Sequence, residues 1–529
     1  MISLLKKYRI ILLPLLGLYG WLITSIAWVS DDAFITFRSI ENFLKGYGPV
    51  FNIGERVQTF THPLWFLLQS LVNLVLNWWK NNPLGSGQLF YVDILASIGI
   101  SIITLLILSF GISRSTRGAI LGILILSMSK AFLDYSTSGL ENPLTHLILA
   151  AFLWIYLSFE TRNKSVVFIL SGLAALGGLN RLDTFLFFLP ALCWLLWKSE
   201  KKGNTLLLMG GGFSPLIIWE IFSIFYYGTP FPNTAYAKIN TGIATMDLIQ
   251  QGWFYYLNSL RLDPITLLVI FIATIWGLTN KNTSLKMVAL GNLLYLLYIL
   301  KIGGDFMSGR FFSPVLFVSV AQLARVEYSS LKWYIPALLM VLIVGVGAYY
   351  LIPERKPNFG RGAGSYRVFL DANDISDERM VYRRQNFLLA LEKGAPKAPF
   401  TRGTWIHHAN EPVQVELVGP LGMASHRLGP DVHVIDLNAL ADPLMSRMPL
   451  QDPTHWRIGH FRHVIPDGYL ETLSSGKNVI ADKNIALFYD KLSIVVKGKL
   501  WSWKRLVEIW NLNTGRYNYL LEHLDDNQG

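Results

Sequence analysis

The sequence predicts an α-helical protein that crosses a membrane many times and carries a soluble domain at its C-terminal end. Hydrophobic residues make up 52% of the 529 residues and charged residues 15%, whereas soluble domains are about 25% charged. Residues 1–352 contain repeated apolar runs of membrane-spanning length, and residues 353–529 contain none. The single cysteine, Cys193, lies within an apolar run, so intramolecular disulfides are excluded. These observations predict a membrane domain over 1–352 and a soluble domain over 353–529.

Eleven apolar runs are predicted to be transmembrane helices, because a span needs about 20 apolar residues. A further apolar run covers 63–79 and begins at a proline. The predicted spans are 8–30, 89–112, 118–133, 142–159, 165–179, 184–198, 205–227, 264–279, 285–302, 311–326 and 333–352.

The distribution of Lys and Arg predicts the orientation of these helices, since basic loops stay in the cytoplasm. If 63–79 is a juxtamembrane or re-entrant helix on the outer face, the cytoplasmic loops hold fourteen basic and three acidic residues. The outer loops then hold ten of each. The prediction is a multi-pass protein of a bacterial inner membrane with a cytoplasmic N-terminus and a periplasmic C-terminal domain. The net charge of +11 is explained by these loops and does not indicate a nucleic-acid partner.

Most of the unusual polar residues fall in the predicted outer loops, so a functional site is expected on the outer face. Asp134 in one of these loops is expected to be solvated. The cytoplasmic loops are too short for a nucleotide-binding domain. In the tail, apolar and polar residues alternate over 413–418, which is typical of a strand. The soluble domain is therefore predicted to be α/β or α+β.

The first outer loop carries two adjacent carboxylates, Asp31 and Asp32, directly after the first span. Such a pair is costly at a membrane surface unless it binds a cation or one member takes a proton. The alternative is a helix cap, because Asp is favoured in the first turn of a helix. The loop continues through Gly54-Glu55-Arg56 to Thr61-His62-Pro63-Leu64-Trp65.

This loop resembles the first outer loop of GT-C glycosyltransferases, which use polyprenyl-phosphate sugars, and more narrowly that of the terminal arabinofuranosyltransferases of the AftB family. The segments around Glu141, Asn180-Arg181-Leu182-Asp183, Lys238, Gly303-Gly304-Asp305 and Arg310 follow in the same order as the family's motifs. The chain departs from the family pattern at several positions: His62 replaces an Asn, Ile53 and Leu182 each replace a Pro, Gln58 replaces a Glu and Asn142 replaces a Thr. The similarity covers most of the chain and is weaker over 353–420 and 480–529.

The resemblance implies an inverting enzyme with a base for the acceptor hydroxyl, positive charge for the leaving phosphate and negative charge near the oxocarbenium-like transition state. Asp31 or Asp32 is implied as the base, with Asp31 preferred, and Glu141 is the second acidic candidate, with a helix-capping role as its alternative. Arg38, Arg181, Lys238 and Arg310 are candidates for the donor phosphate. Supporting residues are Arg56, His62, Asn180, Asp183 and Asp305. A divalent cation, if one is used, would involve Asp32 and Glu141.

The sequence therefore predicts transfer of a pentofuranose, with arabinofuranose favoured, from a polyprenyl phosphate to a hydroxyl of a periplasmic acceptor. The acceptor is left open between a glycan and a protein such as a pilin. The rival interpretation is a transporter or flippase of a lipid-linked sugar. A transporter is expected to show paired discontinuous helices in repeated halves, and the sequence has no such repeat.

Overall fold

The computed structural model describes residues 2–80, 86–159, 163–239, 241–328, 332, 334–351, 370–382 and 413–526. Within these residues the protein is mostly helical, with one pair of short strands. The helices up to residue 226 are α1 (Ile2–Ser25), α2 (Asp31–Leu44), α3 (Pro63–Lys80), α4 (Ser86–Ile107), α5 (Thr116–Met128), α6 (Lys130–Asp134), α7 (Asn142–Ser158), α8 (Lys164–Asn180), α9 (Phe185–Lys198), α10 (Lys202–Gly212) and α11 (Ser214–Tyr226).

The remaining helices lie on both sides of the two strands, β1 (Val415–Val418) and β2 (His433–Asp436). They are α12 (Asn233–Ile239), α13 (Thr245–Leu262), α14 (Pro264–Thr279), α15 (Thr283–Lys301), α16 (Phe312–Leu323), α17 (Tyr334–Leu351), α18 (Glu378–Tyr382), α19 (Gly422–Leu428), α20 (Tyr469–Ser475), α21 (Lys483–Lys497), α22 (Trp503–Asn513) and α23 (His523–Asp526).

Each predicted span coincides with a helix or with two consecutive helices, and several of these helices begin at a capping residue. Asn163 caps α8 by accepting a hydrogen bond from the Ser165 amide, and Asp263 caps α14, whose first residue is Pro264. Among the described helices, three are long and apolar enough to cross a membrane, or five if two bent pairs each form one span. The count of eleven spans stays a prediction.

The chain divides into two compact units. Unit 1 comprises Met1–Ser30, Phe90–Leu216 and Thr245–Gly394. In it α9 packs on α15, α8 lies against α7 and α10, and α14 packs on α16. A segment near residue 376 also binds the loop before α16: the Ser376 amide donates to the Phe306 carbonyl at 2.7 Å, and the Ser308 amide donates to the Ser376 carbonyl at 2.9 Å.

Unit 2 comprises Asp31–Leu89, Ile217–Ala244 and Ala395–Gly529. The strands β1 and β2 pair in parallel, with Val415 opposite His433 and Val418 opposite Asp436. This confirms the strand predicted from the alternation at 413–418. Helix α2 packs on α19 and α3, so the first outer loop and part of the tail share one unit. The division of the chain at residue 352 into a membrane and a soluble domain stays a prediction.

Candidate functional site

In unit 1, Glu141 receives hydrogen bonds from two arginines that are distant in sequence. Arg181 Nη1 lies 2.8 Å from Glu141 Oε1, and Arg310 Nη2 lies 3.1 Å from the same oxygen. Glu141 is fully buried at the N-cap position of α7, Arg181 follows α8, and Arg310 precedes α16. The ends of three apolar helices therefore bring the predicted acid and two predicted phosphate ligands together.

Two further acids complete this group, which we call the Glu141 cluster (Glu141, Arg181, Asp183, Asp305 and Arg310). Asp183 accepts from Arg181 Nε at 3.0 Å and from Nη2 at 2.7 Å. Asp305 accepts from Arg310 Nη1 at 3.5 Å, the longest of these contacts. Burial alone would lower the pKa of Arg181, but the Asp183 and Glu141 carboxylates raise it well above its ordinary value. The cluster therefore holds three carboxylates around two guanidinium groups.

Asn180 supports the cluster through the backbone. Its side-chain amide donates to the Glu141 carbonyl at 3.0 Å and to the Thr145 hydroxyl at 2.8 Å. Asn180 is fully buried at the end of α8. These bonds tie the start of α7 to the end of α8, which fixes the separation of Glu141 and Arg181.

In unit 2, Asp31 and Asp32 occupy the first turn of α2, as the capping alternative predicted. The Asp31 carboxylate binds a distant backbone segment: Oδ2 accepts from the Gly422 amide at 2.9 Å and Oδ1 accepts from the Met423 amide at 2.8 Å. Burial, opposed by the Met423 amide and assisted by the charge of Asp32, raises the pKa of Asp31 to about 6. Asp31 is therefore held in place and is able to accept a proton near neutral pH.

Arg38 has a different environment from the one expected of a phosphate ligand. Its side chain donates to the carbonyls of Phe51, Ser425, Gly429 and Val432 and to the side-chain oxygen of Asn52. Arg38 is buried, and this burial lowers its pKa to about 10. Five contacts match the five N–H groups of a guanidinium. Arg38 therefore joins α2 to α19 and to the loop between α19 and β2.

The other candidates in unit 2 lie at separate places. His62 is buried, with Nε2 2.8 Å from the Thr36 hydroxyl. Arg56 is half-buried and donates to the Gly498 and Val495 carbonyls. Lys238 is exposed in the last turn of α12. Asp32 is half-buried beside Asp31.

The structure corrects the expectation that Asp134 is solvated. Asp134 is buried and bonded to Lys130, and its Oδ1 lies 2.6 Å from Arg379 Nε. Lys130 also contacts Asp377 at 2.9 Å. The Lys130–Asp134 pair has the i,i+4 spacing of a helical ion pair, which is a signal present in the sequence.

The contacts of the Gly422 and Met423 amides with Asp31 were missed, because backbone amides leave no such signal in the sequence.

In the part of the chain that the structure describes, no group of three or more His, Cys, Asp or Glu side chains is arranged to hold a metal ion. Asp32 and Glu141, the two residues that the sequence analysis names for a divalent cation, belong to different units.

Two curated proteins resemble the chain over most of its length. One is a terminal beta-(1->2)-arabinofuranosyltransferase of Mycobacterium tuberculosis, 27% identical over 85% of this chain and 83% of that protein. The other has the same name in Corynebacterium glutamicum and is 24% identical over 83% of this chain and 73% of that protein. These relatives confirm the resemblance predicted from the motifs, and with it the prediction of a glycosyltransferase. The sequence matches no protein-family model.

Among solved structures, the chain is similar to the oligosaccharyltransferase AglB of Archaeoglobus fulgidus in complex with an inhibitory peptide and a dolichol-phosphate. The TM-score is 0.43 and the identity 12%, over 84% of this chain. The apo form of the Archaeoglobus fulgidus oligosaccharyltransferase gives a TM-score of 0.41 at 12% identity and the same coverage of this chain. The chain spans 64% and 65% of the lengths of these two structures. Likeness at this level does not extend to ligands or activity.

Proposed function

We propose that this protein transfers an arabinofuranose from a polyprenyl-phosphate donor to a hydroxyl of an acceptor outside the cytoplasm. The observation that carries the proposal is the convergence of Arg181 and Arg310 on one carboxylate oxygen, in a chain whose two relatives are named for arabinofuranosyl transfer. The acceptor class stays open between a glycan and a protein. The predicted topology, with the N-terminus in the cytoplasm and the tail in the periplasm, is part of the proposal.

The Glu141 cluster is proposed to bind the phosphate of the donor. Arginine presents a planar set of N–H groups that binds phosphate oxygens in pairs. Glu141 holds both guanidinium groups in the cluster, and the contact of Arg310 with Asp305 is long enough to be exchanged for a phosphate oxygen. A leaving polyprenyl phosphate gains negative charge as the bond to the sugar breaks, so two fixed cations stabilise that transition state.

Asp31 is proposed to be the general base that takes the proton of the acceptor hydroxyl. A base works best when its pKa lies near the operating pH, and the pKa of about 6 for Asp31 meets this condition. Each of its oxygens accepts a hydrogen bond from one backbone amide. Each oxygen can accept a second hydrogen bond, because an ionised carboxylate has about four acceptor positions. Asp32 is assigned a smaller role, in which its charge raises the pKa of Asp31.

The phosphate assignment is tested by replacing Arg310 with lysine, which keeps the charge and removes the planar group. We expect Arg310→Lys to weaken binding of a polyprenyl-phosphate arabinose by about thirtyfold, since one lost charged hydrogen bond costs about 2 kcal/mol. Equilibrium binding of a labelled donor in detergent measures this change. Arg114→Lys is the control, because Arg114 is 47% exposed and its contact with Glu327 is 3.9 Å long. Wild-type affinity in both Arg310→Lys and Arg181→Lys would remove the cluster from the donor site.

A further inference from the structure

Helix α22 has the reverse of the side-chain arrangement expected for a water-exposed helix. Three of its polar residues face the interior of unit 2: Arg505 is fully buried, and Glu508 and Asn511 are each 6% exposed. Its two tryptophans face outward, whereas Ile509 is buried. Trp503 is 78% exposed and Trp510 is 71% exposed. A helix that buries charge and exposes tryptophan is suited to an apolar environment outside the protein.

The buried polar residues are fully engaged, so the orientation of α22 is fixed. Arg505 donates to the Val495, Phe225 and Tyr226 carbonyls, each at 2.7 Å. Glu508 accepts from the Tyr517 hydroxyl at 2.5 Å and pairs with Lys491 at 3.3 Å. Rotating α22 to hide its tryptophans would break these bonds and leave buried charges without partners, which is costly.

Helix α22 contacts the end of α11, an apolar helix of the same unit. The carbonyls of Phe225 and Tyr226 that bind Arg505 belong to the last turn of α11. The Trp501 and Phe225 rings lie 4.7 Å apart between centroids. Along α11, the large exposed side chains are all isoleucine: Ile217, Ile218, Ile221 and Ile224 are between 42% and 66% exposed.

We propose that α22, with Trp501, lies in the surface of the lipid bilayer at the end of α11 and anchors the C-terminal part of the chain there. Tryptophan is favoured at the level of the lipid headgroups, and helices with tryptophan on the apolar face and basic residues beside it bind this region. Lys499 and Lys504 are exposed next to the tryptophans, which suits contact with acidic headgroups. The occupant of this face is therefore the membrane surface, and not a soluble partner.

The test places one fluorescent label on the outward face of α22 in the full-length protein reconstituted in liposomes. In a Cys193→Ser background, Val507→Cys carries the label, and Thr514→Cys repeats the measurement at the exposed residue that follows the end of α22. Lys483→Cys is the control, because Lys483 is exposed at the start of α21. Lipids with a quencher near the headgroup and a water-soluble quencher are compared.

We expect the lipid quencher to reduce the emission of labels at 507 and 514 several-fold more than the emission of the label at 483. The water-soluble quencher should reduce the emission of the label at 483 more than that of the other two. Equal access of the water-soluble quencher to all three positions would overturn the proposal, because α22 would then face water. Protection of 507 and 514 from both quenchers would also overturn it, since a second protein chain would then cover the face.

Discussion

Asp31→Asn is expected to reduce single-turnover transfer by about 10²–10⁴-fold, the range that a general base supplies. Asparagine cannot act as a base near neutral pH. Its side chain also lacks one of the two carboxylate oxygens that accept hydrogen bonds from the Gly422 and Met423 amides. A loss of rate alone does not separate lost basicity from lost position. The pH dependence of the rate separates them.

In the wild type, the rate should rise with pH through about 6 and then level off, because the base must be ionised to accept a proton. Asp32→Asn removes a negative charge that raises the pKa of Asp31. The half-maximal rate of that variant should therefore lie at a lower pH, with the plateau nearly unchanged. If Asp32 were the base instead, the plateau of Asp32→Asn would fall by orders of magnitude, and Asp31 would lose this assignment.

Gly422→Ala supplies the control for position. A Cβ at residue 422 would overlap the Asp31 carbonyl oxygen, so the contact between α2 and α19 must shift. The carboxylate remains in this variant. We expect a reduced plateau with the acid limb still present, whereas Asp31→Asn should lose the acid limb. Identical pH profiles for the two variants would indicate that Asp31 only positions the loop.

Glu141→Ala is expected to lower the free energy of unfolding by about 1–3 kcal/mol, because Arg181 and Arg310 lose the acceptor they share and keep only their contacts with Asp183 and Asp305. Both guanidinium groups bind Glu141 Oε1, and Glu141 is fully buried. Thermal unfolding in detergent measures the loss as a lower midpoint. The matched control is Glu327→Ala, since Glu327 is 74% exposed and its pair with Arg114 is 3.9 Å long. Exposed pairs contribute about 0–1 kcal/mol.

A midpoint for Glu141→Ala equal to that of Glu327→Ala would contradict the assignment of Glu141 as the centre of the cluster. Glu141→Gln refines the test, because glutamine keeps the shape and one acceptor oxygen while removing the charge. Its midpoint should lie between those of Glu141→Ala and the wild type.

The helices were predictable because length and apolarity are properties of a continuous segment. The run predicted at 142–159 became α7 (Asn142–Ser158), and that at 264–279 became α14 (Pro264–Thr279). The segment between the predicted spans 205–227 and 264–279 contains two helices, α12 and α13. Helix α13 was missed because polar residues interrupt its apolar residues, so no continuous apolar run marks it. Its buried residues Gly252, Tyr255, Ser259 and Leu262 instead recur every three or four positions along one face.

Contacts between candidate residues were predictable where an acidic and a basic residue share a short motif. Arg181 and Asp183, which are two residues apart in one motif, do pair. Partners distant in the chain were not predictable from one sequence. The bonds of Arg38 to Gly429 and Val432 are an example, because these partners lie almost 400 residues away in the chain. The burial of Arg505 and the exposure of the α22 tryptophans were also not predictable. Periodicity shows that a helix has two faces and does not show which face is buried.

The central claim is that this chain catalyses glycosyl transfer from a lipid phosphate. The most direct measurement incubates the reconstituted wild-type protein with a synthetic polyprenyl-phosphate arabinofuranose and candidate acceptors, and follows product by mass spectrometry. We predict an acceptor that gains one arabinofuranosyl group with inverted anomeric configuration, and release of the polyprenyl phosphate. Movement of intact donor across the bilayer without any glycosylated product, from every acceptor class offered, would contradict the claim and indicate a transporter.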